Sequence, residues 1–296
     1  MEPTPDVVIL PAFDDLPGLP GEAAQWHSQY EFDHRIEIEG LTDELLIAAE
    51  GIAMVPTGIG KTAAATTTTA LLSSERVDLS ESTFLTVGVA GGPPDLPVGS
   101  VVIADAVVDW DDKCRFDPEP GEELPLALNP YTESQGVFLL NEQLVAAAVG
   151  HAKSVGVSSG GEGVQESTSH SHEAGEARIE RGVNLCGDEL WHGEVLAGQA
   201  TWLLEQYGVG PYRVTEMEDA GTAAALDRFG VLDRYLSIRG ISNHDRPVAR
   251  GSARENFFSE KFESGFDRGL RNAVSVAQAL LEEGILQRAE DDTGEE

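Results

Sequence analysis

The feature that most constrains the fold of this chain is a regular alternation of short apolar runs with longer segments of helical period. Buried strands are predicted at 6–13, 83–89, 98–110, 182–186, 212–217 and 235–241, with two weaker strands at 34–38 and 51–57. Helices are predicted at 61–74, 139–157, 192–207, 218–229 and 266–288. Strands that are apolar on both faces and alternate with helices indicate an α/β protein with a mostly parallel sheet.

The domain organisation follows from the same pattern. No linker and no internal repeat interrupts the alternation, so we expect a single domain over 1–288. Residues 158–177 are rich in Gly, Ser, Glu and His and lack periodicity, which predicts a functional loop. Residues 289–296 predict a disordered acidic tail.

The charge of the chain excludes one class of partner. Nineteen Lys and Arg stand against 52 Asp and Glu, which gives a formal net charge of −33. Such a surface repels phosphate backbones, so no nucleic acid is expected as a partner. Because lysine is scarce and carboxylates are everywhere, the composition predicts a cytoplasmic protein adapted to high salt; an acidic protein of dilute cytosol is the alternative. Two cysteines fit a reducing compartment.

Membrane insertion is not expected from the sequence. No stretch approaches the roughly 18–20 consecutive apolar residues that a spanning helix needs. The first residues, MEPTPDVVILPAF, carry no basic segment ahead of their short apolar run, so no secretory signal is predicted.

Three short motifs point to other kinds of site. GIGKT at 58–62 resembles the end of a phosphate-binding P-loop, but Val55 stands where that loop needs glycine. The pattern Gly58-x-Gly60-x-x-Ala63 leaves a dinucleotide-binding dehydrogenase as an alternative. His170 and His172 with Glu173 are too few to hold a metal ion, so no metal and no cofactor are expected.

Four separated segments fit together as one motif set. They are TGIGKTAAA (57–65), GVAGG (88–92) followed by LPVGSVVIADAVV, TEMED (215–219) and IRGISNHDRP (238–247). Their order and spacing resemble the nucleoside phosphorylase and nucleosidase superfamily. LPGEAAQW (19–26) and CGDELWHG (186–193) are most similar to its purine nucleoside permease group. The resemblance implies a three-layer αβα sandwich with a central mixed, partly closed sheet, and a homo-oligomer.

The resemblance also implies a purine nucleoside ligand and cleavage of its N-glycosidic bond. Glu218 matches the residue that accepts hydrogen bonds from the ribose hydroxyls, and Met217 would supply an apolar floor to the sugar. A carboxylate that only favours a helix N-terminus is the simpler interpretation of Glu218.

Asn243 matches the residue that contacts the leaving purine. Its amide donates without titrating, which suits 6-oxopurines. Asp245 either orients that loop or takes over a proton; a plain turn after a strand is the alternative. Further residues expected at the base are Val89, Ala90, Gly91, Leu190 and Trp191, although a core role is nearly as plausible for the tryptophan. The glycines at 88, 91 and 92 would let backbone amides approach an anion or the base.

The nucleophile stays open at this point. Phosphorylases of the superfamily hold phosphate with an arginine and a serine, but Thr86 and Val89 stand in those places. Arg35 or Arg76 would have to serve phosphate instead. The candidates on the nucleophile side are Asp14, Asp15, Glu22, Gly58 and Gly60. An acidic first loop favours water over phosphate as the nucleophile.

The sequence therefore predicts an enzyme of nucleoside salvage that cleaves purine nucleosides by phosphorolysis or hydrolysis, with inorganic phosphate as the possible co-substrate. A purine nucleoside-binding protein that assists transport without turnover is the alternative function.

Overall fold

The computed structural model describes residues 3–15, 21–121, 125–132, 136–158, 175–247, 252–257 and 261–286, with only the backbone described for 261–263. The predicted tail at 289–296, most of the predicted loop at 158–177, and the His170 and His172 pair with Glu173 lie outside these residues.

The strands and helices follow the predicted alternation. The strands are β1 (Val7–Ile9), β2 (His34–Ile36), β3 (Leu45–Ile47), β4 (Ile52–Met54), β5 (Thr83–Gly92), β6 (Val101–Asp109), β7 (Lys113–Arg115), β8 (Leu126–Leu128), β9 (Val137–Leu139), β10 (Ile179–Cys186), β11 (Tyr212–Glu216) and β12 (Tyr235–His244). The helices are α1 (Ala24–His27), α2 (Lys61–Leu72), α3 (Glu142–Ala152), α4 (Glu194–Tyr207), α5 (Asp219–Arg228), α6 (Ala253–Phe257) and α7 (Lys261–Glu282), with a 3₁₀ turn at Leu232–Arg234.

One mixed sheet runs through the described residues in the order β11-β10-β6-β12-β5-β1-β4-β3-β2, and β9 pairs with β6. The pairs of β1 with β4 and β5, β5 with β12, β6 with β10, and β10 with β11 are parallel. A bridge between Thr215 and Gly91 joins β11 back to β5. This bridge closes half of the sheet into a ring, so the prediction of a mixed, partly closed sheet is confirmed.

Helices cover both faces of β12. The Arg239 guanidinium lies against Asp219 of α5. At the next position, a side chain on Gly240 would overlap the carbonyl of Gly269 in α7. Because successive residues of a strand point to opposite faces, α5 and α7 lie on opposite sides of the sheet. The three-layer αβα architecture is therefore confirmed.

Small residues let the layers approach closely. Ala64, Thr67, Thr68 and Leu71 form the buried face of α2, at the spacing that a helix requires. The backbone of α2 lies so close to α5 that a Cβ at Gly221 would overlap the Lys61 carbonyl. The threonine-rich composition of α2 thus reflects tight helix packing.

The predicted start of α3 is wrong. The segment 139–157, predicted as a single helix, begins at the end of strand β9, and α3 starts only at Glu142. The Asn141 side chain accepts the N–H groups of Gln143 and Leu144 and thereby fixes the start of the helix. Before it, the Leu140 N–H donates to the Asp105 carbonyl, which continues the pairing with β6.

Four strands or helices follow less clearly from the sequence. Strand β3 and the separate β7–β8 ribbon were not predicted, because runs of three residues carry no usable periodicity. Helix α7 begins at Lys261 rather than at Phe266, since Phe262 stands alone among polar and small residues in this first part and gives no apolar period.

Candidate functional site

The ends of β5, β11 and β12 meet at one place. Gly91 of β5 pairs with Asn243 of β12 on one side and with Thr215 of β11 on the other. The segment after β1 and the turn before α2 reach the same place through Glu22 and Gly60. Glu22, Glu218 and Asn243 therefore come from distant parts of the chain to neighbouring strand ends, which is where open α/β sheets place ligands.

Arg239 lies at the centre of the site. Its Nη2 contacts Asp219 Oδ1 and lies 3.0 Å from Glu216 Oε2, while its Nε donates to Asp219 Oδ2 over 3.3 Å. Its Nη1 lies 3.8 Å from Glu218 Oε2 and 3.9 Å from Glu22 Oε1. All five residues are buried. We call the four carboxyl groups around Arg239 the carboxylate cluster.

Burial and crowding set the protonation of the carboxylate cluster. Burial raises the pKa of Glu218 to about 7, with Arg239 opposing the shift. Burial and the neighbouring Asp219 raise the pKa of Glu216 to about 8. Burial also raises the pKa of Glu22, again against the pull of Arg239. One guanidinium cannot balance four buried carboxylates, so the cluster retains protons near neutral pH.

Glu22 is the residue of the acidic first loop that reaches the site. Its Oε2 accepts the Ala12 N–H at 2.8 Å, and its Oε1 accepts the Val89 N–H at 2.9 Å. Asp14 and Asp15 are exposed, and their carboxylates accept N–H groups within the loop itself. Of these three candidates for the nucleophile side, the structure brings only Glu22 to the cluster.

Two of the three glycines in GVAGG do not serve the predicted approach of backbone amides to a ligand. A Cβ at Gly88 would overlap the Glu22 carboxylate and lie 2.6 Å from Arg239 Nη1. A Cβ at Gly92 would lie 2.5 Å from Ile241 Cδ1. These glycines therefore make room for protein side chains rather than for an anion or a base. Gly91 is the one that faces Asn243, whose Nδ2 would be 3.5 Å from its Cβ.

Glu218 is held by the turn that precedes α2. Its Oε1 accepts the Gly60 N–H at 3.0 Å. Gly58 and Gly60 have φ angles of 85° and 95°, which only glycine adopts without strain. Because this N–H already binds Glu218, the dinucleotide pattern is not supported by the structure. Met217, half-buried, lies between Glu218 and the end of β11.

Asn243 lies at the end of β12 with its amide partly engaged. Its Oδ1 accepts from the Ser242 hydroxyl at 2.8 Å, and its Nδ2 donates to the His244 carbonyl at 3.0 Å. The same hydroxyl contacts the Ala90 carbonyl at 3.1 Å. An amide carries two N–H groups and its oxygen two lone pairs, so one of each stays available to a ligand.

Asp245 is buried and fully engaged. Its Oδ2 accepts from the Tyr212 hydroxyl at 2.6 Å, and its Oδ1 accepts from Arg246 Nε at 2.7 Å. Its backbone N–H donates to Gly92, and its carbonyl accepts the Gly193 N–H. These contacts fix the loop that follows Asn243.

Trp191 and Leu190 differ in exposure. The Trp191 ring stacks on Trp110 with centroids 5.8 Å apart and meets Tyr212 edge-on, and it is 8% exposed. This is the core position that the sequence left open as its alternative. Leu190 is 60% exposed.

The cations considered for phosphate do not reach the carboxylate cluster. Arg35 lies on β2 at the far edge of the sheet and contacts Glu44. Arg76 is exposed beyond the opposite end of α2. The Thr86 hydroxyl is buried against Tyr235. Among the described residues, no group of three or more His, Cys, Asp or Glu side chains is placed to hold a metal ion.

Glu216 and Asp219 were not predicted as residues of the site. Glu216 continues the buried face of β11 formed by Tyr212 and Val214, at a period of two. An acidic residue on an otherwise apolar strand face predicts a buried partner, and this signal was available in the sequence.

The sequence of the chain matches one protein family over almost its whole length. The sequence model of the purine nucleoside permease family matches residues 4–291. The chain belongs to this family. A purine nucleoside permease from Candida albicans is 27% identical over 290 residues, covering 88% of this chain and 71% of that protein. A probable purine nucleoside permease from Schizosaccharomyces pombe is 27% identical over 297 residues, covering 89% and 80%.

Solved structures share the fold. A Neisseria meningitidis 5′-methylthioadenosine/S-adenosylhomocysteine nucleosidase, in complex with methylthio-immucillin-A, has a TM-score of 0.64 at 18% identity, covering 95% of this chain and 99% of that one. The Helicobacter pylori futalosine hydrolase has a TM-score of 0.63 at 19% identity, covering 94% and 98%. At these identities the likeness establishes a nucleoside phosphorylase-like fold.

The name of the family raises the question of membrane passage. Within the described residues, none of the helices combines the length and the apolar character needed to cross a bilayer.

Proposed function

We propose that this protein binds a purine nucleoside over the carboxylate cluster and cleaves its N-glycosidic bond, in nucleoside salvage. The observation that carries the proposal is the placement of a backbone-anchored Glu218 beside Arg239 and Glu22, at the strand ends where Asn243 lies. Val89, whose N–H holds Glu22, is two residues from Gly91, which pairs with Asn243. Two strand positions span about 7 Å, which suits a sugar and the base attached to it.

Glu218 and Met217 take the ribose in this proposal. Bond cleavage passes through a sugar with oxocarbenium character, so hydrogen bonds from its hydroxyls to a carboxylate strengthen as the bond breaks. Because Gly60 occupies only Oε1 of Glu218, the other oxygen remains for the sugar. Met217 offers a polarizable surface to the ring.

Asn243 takes the base together with Val89, Ala90 and Gly91. The leaving purine gains electron density when the bond to C1′ breaks, and the second N–H of the Asn243 amide is placed to stabilise it. Asp245 supports this amide as a positioning residue, since both of its oxygens already accept hydrogen bonds from Tyr212 and Arg246. Trp191 supports the same loop from the core through its contact with Tyr212, and the exposed Leu190 would contact the base from outside.

Water is the nucleophile that the charges of the site favour. Arg239 Nη1 lies 3.8 Å from Glu218 and 3.9 Å from Glu22, and both distances are longer than a hydrogen bond. They suit one water molecule whose oxygen bridges Nη1 to both carboxylates. The water oxygen bonds to C1′, the C1′–N bond breaks, and its electron pair leaves with the base. Glu22 accepts the water proton, and the base takes up a proton from solvent. A phosphate dianion would meet the carboxylate cluster instead, which costs far more.

The test is turnover of inosine, guanosine and adenosine, with and without phosphate, followed by chromatography of the base and the sugar. We expect free base and ribose in the absence of phosphate, with inosine and guanosine preferred over adenosine. If ribose 1-phosphate forms, and base is released only when phosphate is present, the reaction is phosphorolysis and not hydrolysis. No free base under either condition would remove the enzymatic proposal.

Binding without turnover is the second candidate function. It is favoured by the names of the two fungal relatives, both described as purine nucleoside permeases. In this case the protein would hold a nucleoside for a partner that carries out transport. Calorimetry that shows saturable nucleoside binding, with no base released over a day, would favour it.

A further inference from the structure

We infer that Glu216 is a positioning residue for Glu218 and Arg239. One of its carboxylate oxygens binds both the first turn of α5 and the guanidinium, and so sets the direction of both side chains. The inference rests on the proposed function, because the residue it positions is the proposed ribose ligand. Glu216 precedes the predicted Met217–Glu218 pair and ends β11.

The first contact is with the backbone of α5. Glu216 Oε2 accepts the N–H of Glu218 at 2.8 Å and the N–H of Asp219 at 3.0 Å. Glu218 is the N-cap residue of α5, yet its own side chain makes no capping bond. A helix start leaves N–H groups without intrahelical partners, and a side-chain acceptor normally satisfies them. Glu216 supplies that acceptor, so the Glu218 side chain is free to reach Gly60.

The second contact is with Arg239. Its Nη2 lies 3.0 Å from the same Oε2. Asp219 contacts the same Nη2 and also accepts from Nε, so Nη1 is the nitrogen that faces Glu218 and Glu22. A single carboxylate oxygen therefore links the backbone that carries Glu218 to the cation that faces it.

The surroundings of Glu216 keep it in place. The residue is 7% exposed, and its Oε1 is buried with no hydrogen-bond partner among the described residues. The charged and titratable groups that face it are Arg239 from β12, Glu218 and Asp219 at α5, and the buried Cys186 of β10, its neighbour across the sheet. A group with this little freedom holds its partners to one geometry.

The experiment compares two conservative variants that separate reach from the ionisable carboxyl group. Glu216→Asp keeps a carboxyl group but withdraws its oxygens by one methylene, whereas Glu216→Gln keeps the reach and an accepting oxygen without an ionisable group. Nucleoside and free-base affinities are measured by calorimetry with inosine and hypoxanthine, alongside inosine turnover and thermal unfolding. Glu205→Gln, on the exposed side of α4, is the control for a carboxylate outside the site.

We expect Glu216→Asp to lose about 10–100-fold in inosine affinity and kcat/KM, because a misplacement of about 1 Å at a site costs on this order. Glu216→Gln should lose less than about 10-fold, since it still accepts the two N–H groups. Hypoxanthine binding should change by less than about 3-fold in both, as the base is held by other residues. Glu205→Gln should match the wild type.

Three outcomes would overturn the inference. If Glu216→Gln is impaired more than Glu216→Asp, the carboxyl group itself and not the position of its oxygen is what matters. If the affinities for inosine and hypoxanthine fall equally, Glu216 is merely structural. The same holds if the variants lose inosine affinity only in step with a fall in their unfolding temperature. Should Glu216→Asp fail to fold, Glu216→Gln alone must still weaken inosine more than hypoxanthine. A wild-type chain that neither binds nor cleaves inosine removes the proposed function itself, which the variants by themselves cannot do.

Discussion

At the scale of single residues, Glu218 is a helix N-cap residue whose capping is done by a neighbour. Its side chain instead accepts the Gly60 N–H and faces Arg239. The sequence predicted the pair of Met217 and Glu218 from a motif, and a plain N-terminal carboxylate was the simpler interpretation. The structure shows contacts that a plain N-terminal carboxylate would not need.

Replacing Glu218 by Gln tests its role directly. We expect kcat for inosine to fall by about 10²–10³, because an amide stabilises the developing cation less than a carboxylate does. Thermal unfolding should stay near that of the wild type, and Glu205→Gln should keep full activity. Unchanged turnover in Glu218→Gln would mean that the ribose lies elsewhere.

The pH dependence of activity follows from the same residue. Burial raises the pKa of Glu218 to about 7, and the charged form is the one that accepts from the ribose. We therefore expect kcat/KM to rise with pH and to level off above about 7, as measured in initial rates from pH 5 to 9. A rate independent of pH across this range would contradict the proposed role of Glu218.

Stability should change with pH in the opposite direction. The folded-state pKa values of about 7 for Glu218 and about 8 for Glu216 lie above the ordinary value of 4.5. Between pH 4.5 and pH 8 the folded state therefore binds more protons than the unfolded state. The free energy of unfolding should therefore be highest near pH 5 and fall as pH rises through 8. Urea unfolding at successive pH values measures this. Glu216→Gln should flatten the slope, and an unchanged slope would place the protons on other groups.

At the scale of elements, contact between strand and helix backbones decides where α7 lies. Gly240 of β12 and Gly269 of α7 leave no room for a side chain between them, and Gly265 meets the Ser242 carbonyl in the same way. This contact holds α7 against the strand that carries Arg239 and Asn243.

Gly240→Ala tests that contact. The added methyl would overlap the Gly269 carbonyl, so we expect a loss of about 1–3 kcal/mol or more in the free energy of unfolding. The matched control is Gly150→Ala in α3, where a Cβ meets nothing within 4 Å. There the change should stabilise by about 0.5–1 kcal/mol, since alanine suits a helix interior better. Equal effects of the two substitutions in denaturant unfolding would contradict the packing argument.

The elements also show what a pattern can and cannot predict. Helix α2 was predicted from the Gly58-x-Gly60 turn ahead of a run of small residues, and in the structure Ala64, Thr67, Thr68 and Leu71 share its buried face. The start of α3 was missed because it depends on the Asn141 cap, while the apolar run continues back through β9. Periodicity identifies a long helix well, but a cap decides its boundary.

At the scale of the whole molecule, the charge of −33 remains the dominant property. Its carboxylates cover the surface and also form the carboxylate cluster, so both places favour an uncharged ligand such as a nucleoside. Adaptation to high salt, a single domain and a homo-oligomer stay predictions. The bridge from β11 back to β5 supports one cooperative unit, because it ties the second half of the chain to the first.

Stability should therefore rise with salt. Raising KCl from about 0.1 M to about 3 M shortens the screening length from about 10 Å to below about 3 Å and weakens the self-repulsion of the surface. We expect the midpoint of thermal unfolding, measured by calorimetry, to increase over this range. Sucrose at equal osmolality is the control for solvent exclusion. A midpoint that falls with KCl would contradict the adaptation to high salt.

The sequence by itself determined the α/β alternation, the net charge from which no nucleic-acid partner is expected, and the four segments that carry Gly60, Gly88, Glu218 and Asn243. These follow from periodicity, charge and local motifs, which are written along the chain. Only the tertiary structure decided that Glu22, rather than Asp14 or Asp15, joins the carboxylate cluster together with Glu216 and Asp219 around Arg239. That choice depends on which side chains meet across strands far apart in sequence, and burial then sets their charge.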